Sequence, residues 1–187
     1  MAAGTDIAEH LGGFVIGGDP ATQFPDLWDW LVRTLGIRSV LDVGCGDGQA
    51  VAHFQKLGCD VLGIDGVPQD APEIMQWDYT GGAPVLERSF DLCWSCEFVE
   101  HVEERFVPNI LDSFQHCTLV VMTHAEPGQG GHHHVNCQPK PYWCGALAAV
   151  GYFLDEKLTE QSRRLAAINT DPYNHFLRSG LAFRRVK

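Results

Sequence analysis

Residues Ser39-Val40-Leu41-Asp42-Val43-Gly44-Cys45-Gly46-Asp47-Gly48 decide how the rest of the chain reads. Val40, Leu41 and Val43 make a short apolar run with β-branched residues, the pattern of a strand buried on both faces. Three glycines at alternate positions then interrupt it. Glycine adopts positive φ freely and lets a backbone approach a ligand closely, because no Cβ stands in the way. Gln49 to Leu57 open a helix, and Asp47 is placed to cap it. A strand, a glycine turn and a helix N-terminus together make a nucleotide cradle.

The glycine spacing narrows the ligand. The dinucleotide fingerprint is G-x-G-x-x-G, whereas here the order is Asp42-x-Gly44-x-Gly46-x-Gly48, with an acid two residues ahead of the first glycine. A second apolar run, Cys59-Asp60-Val61-Leu62-Gly63-Ile64-Asp65-Gly66, ends in another acid. That is where a carboxylate would accept hydrogen bonds from both ribose hydroxyls. The pattern resembles the first motifs of the class I S-adenosylmethionine-dependent methyltransferases. The resemblance implies S-adenosyl-L-methionine as cofactor, held by Asp42, Gly44, Cys45, Gly46, Asp65 and Gly66.

Two further stretches carry the resemblance. Met75-Gln76-Trp77-Asp78-Tyr79 follows a short link containing Pro68 and Pro72, too short for a regular crossover helix. In the family an acidic or polar residue here meets the adenine amino group. Asp78 matches it, with Trp77 or Tyr79 able to pack on the ring. Phe90-Asp91-Leu92-Cys93-Trp94-Ser95-Cys96-Glu97 then resembles the family's fourth motif. This implies that Ser95, Cys96 and Glu97 lie beside the methionine part of the cofactor. The C-x-x-C of Cys93 and Cys96 lacks the thioredoxin-like or zinc-binding context that would make it redox-active or structural.

Alternating strands and helices predict an α/β fold. The resemblance implies a Rossmann-like, seven-stranded, mostly parallel sheet flanked by helices, its last strand antiparallel. Residues 1–187 are expected to form a single methyltransferase domain. Residues 1–23, with Phe14, Val15 and Ile16 between glycine pairs, read as a flap or packed arm. Helices are expected from Pro25 to Leu35, through Phe106 to Phe114, from Pro141 to Val150 and from Glu160 to Ile168. Late strands are expected at Tyr152-Phe153-Leu154 and Leu181-Ala182-Phe183.

The chain has 187 residues and a formal net charge of −11. An acidic body repels phosphate backbones, which weighs against a nucleic-acid partner. The last 27 residues reverse the sign, with six arginines and lysines against Asp171, and read as a solvated helix and strand. No apolar run approaches the roughly 20 residues of a membrane span. The acidic N-terminus does not read as a signal peptide. Seven cysteines, an odd number, fit reduced thiols and a cytoplasmic setting. Oligomeric state is not legible.

A glycine-rich loop, residues 124–138, follows the fifth predicted strand and contains His132-His133-His134. Loops at the carboxyl ends of strands hold the ligands of α/β proteins, so this one reads as the substrate side. Transfer of a methyl to a hydroxyl needs a group that removes a proton near neutral pH, and histidine does so unperturbed. His101, His132, His133 and His134 are the catalytic candidates. A divalent-metal set of His124, Glu126, His132 and His134 is the weighed alternative, and no metal is expected. The expected activity is O-methylation of a small molecule. A macromolecular acceptor, or a cofactor-binding partner protein without turnover, are the other readings.

Overall fold

Val40, Leu41 and Val43 are completely buried in strand β1 (Ser39–Val43), at the middle of the sheet. The computed structural model describes residues 8–11 and 17–186. Seven strands lie in the order β3-β2-β1-β4-β5-β7-β6. They are β2 (Asp60–Asp65), β3 (Ile74–Gln76), β4 (Phe90–Ser95), β5 (Cys117–Met122), β6 (Tyr152–Leu154) and β7 (Leu181–Arg185). β1 pairs in parallel with β2 on one side and β4 on the other. β7 inserts antiparallel between β5 and β6. The chain therefore reverses its winding direction between β1 and β4, the point where open α/β sheets bind their ligands.

Helices cover both faces. Leu27, Trp28 and Leu31 of α1 (Pro25–Leu35), with Val51 and Phe54 of α2 (Gln49–Lys56), pack on Val40, Val61, Leu92 and Val121. Leu158 and Ala166 of α5 (Glu156–Ala166) and Phe176 of α6 (His175–Ser179) join the same layer. On the opposite face α3 (Val107–Phe114) and α4 (Lys140–Ala149) bury Ile110, Phe114, Trp143 and Leu147 against Leu41, Cys93 and Val120. Each fully buried Leu, Val or Phe contributes about 1.5–3 kcal/mol. Among the described residues no helix is long and apolar enough to cross a membrane.

Three expectations about local structure need correction. Asp47 does not cap α2. Gly48 occupies the cap position at φ 81° without a side-chain bond, and Asp47 instead accepts from the Gln49 side chain at 3.3 Å. Because the helix begins at Gln49, Asp47 stands one residue ahead of the cap position. Second, α5 starts at Glu156 rather than Glu160, because Asp155 accepts from the Leu158 N–H and caps it. Third, α6 was not expected; Asn174 caps it by accepting from Leu177 N–H. The short link between β2 and β3 carries no helix, as its prolines imply.

Candidate active site

Gly44, Gly46 and Gly48 sit at φ 78°, 55° and 81°, so the turn after β1 runs through left-handed conformations at every second residue. Gly44 and Cys45 both donate to the Ile64 carbonyl, at 2.8 and 3.1 Å, which ties the turn to β2. At the end of β2, Asp65 accepts from Gly46 N–H at 2.8 Å and from Val67 N–H at 2.9 Å. One carboxylate thus clamps two loops. An asparagine there has one acceptor oxygen and would turn an N–H toward a donor. Asp65→Asn is expected to lower the stability of the ligand-free protein by about 1–3 kcal/mol, read by thermal unfolding.

This turn floors a cleft of about 380 Å³. All four candidate histidines border it, as does every expected cofactor residue except Ser95. Ser95 is buried, and its hydroxyl donates to the Val43 carbonyl at 2.9 Å, bracing β4 against β1. Phe14, Val15 and Ile16 lie outside the described residues. Leu11, Gly18, Asp19 and Thr22, from the same N-terminal stretch, do border the cleft.

At one end Asp78 caps a short turn by accepting from Thr80 N–H at 2.8 Å, and its other oxygen meets His10 Nε2 at 2.8 Å. Burial pushes the Asp78 carboxyl up, but these bonds and the His10 charge outweigh it and hold the group low. Trp77 and Tyr79 touch the same end with their polar atoms already engaged: Trp77 donates to the Gly82 carbonyl, and Tyr79 to Ser113 Oγ. In the middle, Asp42 is only 2% exposed, and among the described residues no group donates a hydrogen bond to it. Burial, then the nearby Asp65 charge, push its carboxyl up to about 8.

The far end is built from the turn after β4 and the loop after β5. Glu97 adopts φ 51° and His133 φ 54°, the two left-handed non-glycine residues among those described. Such backbones are strained and collect at functional sites. Glu97 N–H donates to Thr123 Oγ1, whose hydroxyl is in turn placed to donate to Glu97 Oε1 at 2.9 Å. Glu97 Oε2 pairs with His175 Nδ1 at 2.9 Å. The loop is stitched down by Val135 and Asn136 N–H groups, which both donate to the Glu100 carbonyl. Glu100 itself is wholly buried, and among the described residues its carboxyl oxygens find no hydrogen-bond partner by distance and angle; burial and then the facing Glu97 charge keep it well above the usual range.

His101 and His134 meet edge to face with ring centres 5.0 Å apart. Burial first, then the His134 charge, push His101 down to about 4. His134 Nδ1 approaches the Gln129 carbonyl at 3.3 Å. His124 is buried away from the cleft, and among the described residues no three His, Cys, Asp or Glu side chains stand as a metal site. Sequence reading missed His10, Thr123 and His175. The first and last border the cleft from opposite ends of the chain, and their long-range partners left no local pattern to find.

A doubly wound sheet with a glycine cradle at its switch point and an acid closing β2 defines a Rossmann-like nucleotide-cofactor protein. The chain belongs to the class I S-adenosylmethionine-dependent methyltransferases: the family model described as methyltransferase domain matches residues 21–161. An uncharacterized methyltransferase from Mycobacterium sp. (strain JLS) is 30% identical over 109 residues, covering 54% of this chain and 42% of that protein. The chain thus spans less than half the length of the curated relatives it matches. Among solved structures, the sugar N-methyltransferase KedS8 from Streptoalloteichus sp ATCC 53650 superposes with a TM-score of 0.64 at 17% identity, over 91% of this chain and 90% of that one. The 1,6-didemethyltoxoflavin-N1-methyltransferase of Burkholderia thailandensis gives 0.60 at 16% identity, over 97% and 80%. At such identities the likeness is one of fold.

Proposed function

We propose that this chain transfers a methyl group from S-adenosyl-L-methionine to an oxygen of a small-molecule acceptor. One observation carries the acceptor reading. Six of the nine histidines border the cleft, while among its described lining residues there is no lysine or arginine. A phosphate-bearing macromolecule would find no cation to pair with there, whereas a neutral hydroxyl compound finds imidazoles. The two structural neighbours named above are named for a sugar and for 1,6-didemethyltoxoflavin, which agrees with the class of acceptor. Seven free cysteines agree with a reducing, cytoplasmic setting.

The residues fit the cofactor. Asp42 is a buried carboxylate with no hydrogen-bond donor among the described residues, beside Asp65, and a cationic ligand would relieve both. Asp65 and Gly66 would hold the ribose, Asp78 with Trp77 and Tyr79 the adenine, and Asp42, Gly44, Cys45, Gly46, Cys96 and Glu97 the methionine part. When bound, the sulfonium supplies an activated methyl, so the protein's share is alignment and proton removal. His101, His132, His133 and His134 wall the acceptor end.

Incubation with methyl-labelled cofactor and a panel of phenols, catechols, sugars, carboxylates and amines, read by mass spectrometry, tests this. An O-methylated product is expected. Turnover of amines alone would move the reaction to nitrogen, as in the two named neighbours. Label found only in protein or RNA would favour a macromolecular acceptor, and tight cofactor binding without any transfer would favour a non-catalytic partner.

A further inference from the structure

We infer that Glu97 and His175 form a carboxylate–imidazole dyad whose Nε2 takes the proton of the acceptor hydroxyl. This assignment rests on the O-methyl reading above and names its base, a fifth histidine outside the motifs that carried the sequence argument.

The two ring nitrogens of His175 have different neighbours. His175 Nδ1 lies 2.9 Å from Glu97 Oε2, and Glu97 Oε1 is held by the Thr123 hydroxyl at 2.9 Å. A carboxylate at Nδ1 keeps the proton on that nitrogen and leaves the lone pair on Nε2. Nε2 makes no hydrogen bond among the described residues; the nearest carboxylate oxygen, on Asp19, is 4.0 Å away. Glu97, Asp19 and His175 all border the cleft. The imidazole is fixed at its base by α6, whose cap residue Asn174 donates to the Ala166 and Asn169 carbonyls. The carboxylate is fixed by a strained backbone anchored to Thr123. A base oriented by a third group is a signature of sites that take a proton from a hydroxyl.

The competing histidines lack these features. His101 is half-buried, and among the described residues its buried Nδ1 has no hydrogen-bond partner. His10 is spent on Asp78 at the other end of the cleft. Among the described residues no carboxylate pairs with His132, His133 or His134 within 4 Å. For His175, burial lowers its proton affinity, but Glu97 and more weakly Asp19 raise it by more; Arg178 on the same helix opposes them. Burial works against the charge on Glu97, but His175, then Thr123 and the facing Glu100 carboxyl, outweigh it and hold Glu97 below the usual range. In the step, the acceptor O–H bond breaks to Nε2 and the oxygen's electron pair forms the O–CH₃ bond. The methyl–sulfur bond breaks with its pair left on sulfur. The imidazolium so formed sits against Glu97, and the proton leaves to water.

Two measurements decide this. In protein labelled with ¹⁵N at histidine and saturated with S-adenosylhomocysteine, long-range ¹H–¹⁵N spectra from pH 5 to 9 should report the Nδ1–H tautomer for His175. Glu97→Gln should move its titration midpoint down by about one pH unit. An Nε2–H tautomer, or a midpoint unmoved by Glu97→Gln, overturns the dyad in wild-type and variant protein alike. With the phenol or catechol turned over fastest in the panel, His175→Gln should lower kcat about 100-fold. Calorimetric cofactor affinity should stay within about twofold, and the rise of kcat with pH should vanish. A surviving rise overturns the base role. A panel with no O-methylation fails the O-methyl reading instead, and the spectra still decide the dyad.

Discussion

Asp42→Asn is expected to melt higher than the wild-type protein at about pH 9 and to lose most of its affinity for S-adenosylmethionine. Burial, with Asp65 nearby, raises the Asp42 carboxyl from its usual 3.8 to about 8. Between those two values the folded protein holds a proton that the unfolded chain has released. Stability from this group is therefore intact below pH 4, falls as pH rises, and is lowest above pH 8. Each tenfold change in proton affinity is worth about 1.4 kcal/mol. Asparagine carries no charge to desolvate, so the gain above pH 8 is on the order of a few kcal/mol.

The same substitution removes the anion that a cationic ligand needs. Losing one partner of a buried charged contact costs about 2–5 kcal/mol, or at least about a 30-fold weaker Kd. Wild-type binding near pH 7 should release protons as Asp42 ionises, and affinity should strengthen up to about pH 8. Calorimetry in buffers of different ionisation enthalpy reads this release, which Asp42→Asn should abolish. A variant that melts lower than wild type at pH 9, or that binds undiminished, would show that Asp42 serves the fold and not the ligand.

Gly44→Ala is expected to be the most damaging single methyl in the cradle. The added Cβ would stand 2.3 Å from the Phe98 ring and 2.4 Å from Phe98 Cβ, at a residue with φ 78°. The left-handed backbone costs an L-residue about 1–2 kcal/mol, and overpacking adds about 1–3. Phe98 cannot yield cheaply, because the near atoms include its own Cβ and its ring packs on Tyr79 at 5.6 Å. Moving it shifts the turn that presents Glu97 and His101. A drop in melting temperature of about 5–15 °C with no measurable cofactor binding is the expected result. Gly46→Ala is the control: its backbone is also left-handed, but nothing lies within 4 Å of the added methyl. Equal losses in the two variants would mean that strain, and not Phe98, sets the effect.

Much of this was legible in local pattern. An apolar run followed by glycines at alternate positions specifies strand, turn and helix within a dozen residues, since each preference acts on its own backbone. Asp42 and Asp65 could be read because they stand within the last two positions of adjacent strands, Asp42 one residue before the end of β1 and Asp65 at the end of β2. Alternating strands and helices likewise determined an α/β sheet. What depended on packing did not show. Ser95 stands in the same motif as Cys96 and Glu97, yet strand alternation turns its hydroxyl inward to Val43. His175 lies on a one-and-a-half-turn helix held by its Asn174 cap and by burial of Phe176 and Ser179. Its pairing with Glu97 joins residues 78 apart in the chain. Such contacts are made when β7 slots between β5 and β6 and carries α6 to the end of β4, a placement decided by the buried faces of the whole sheet and by no single segment.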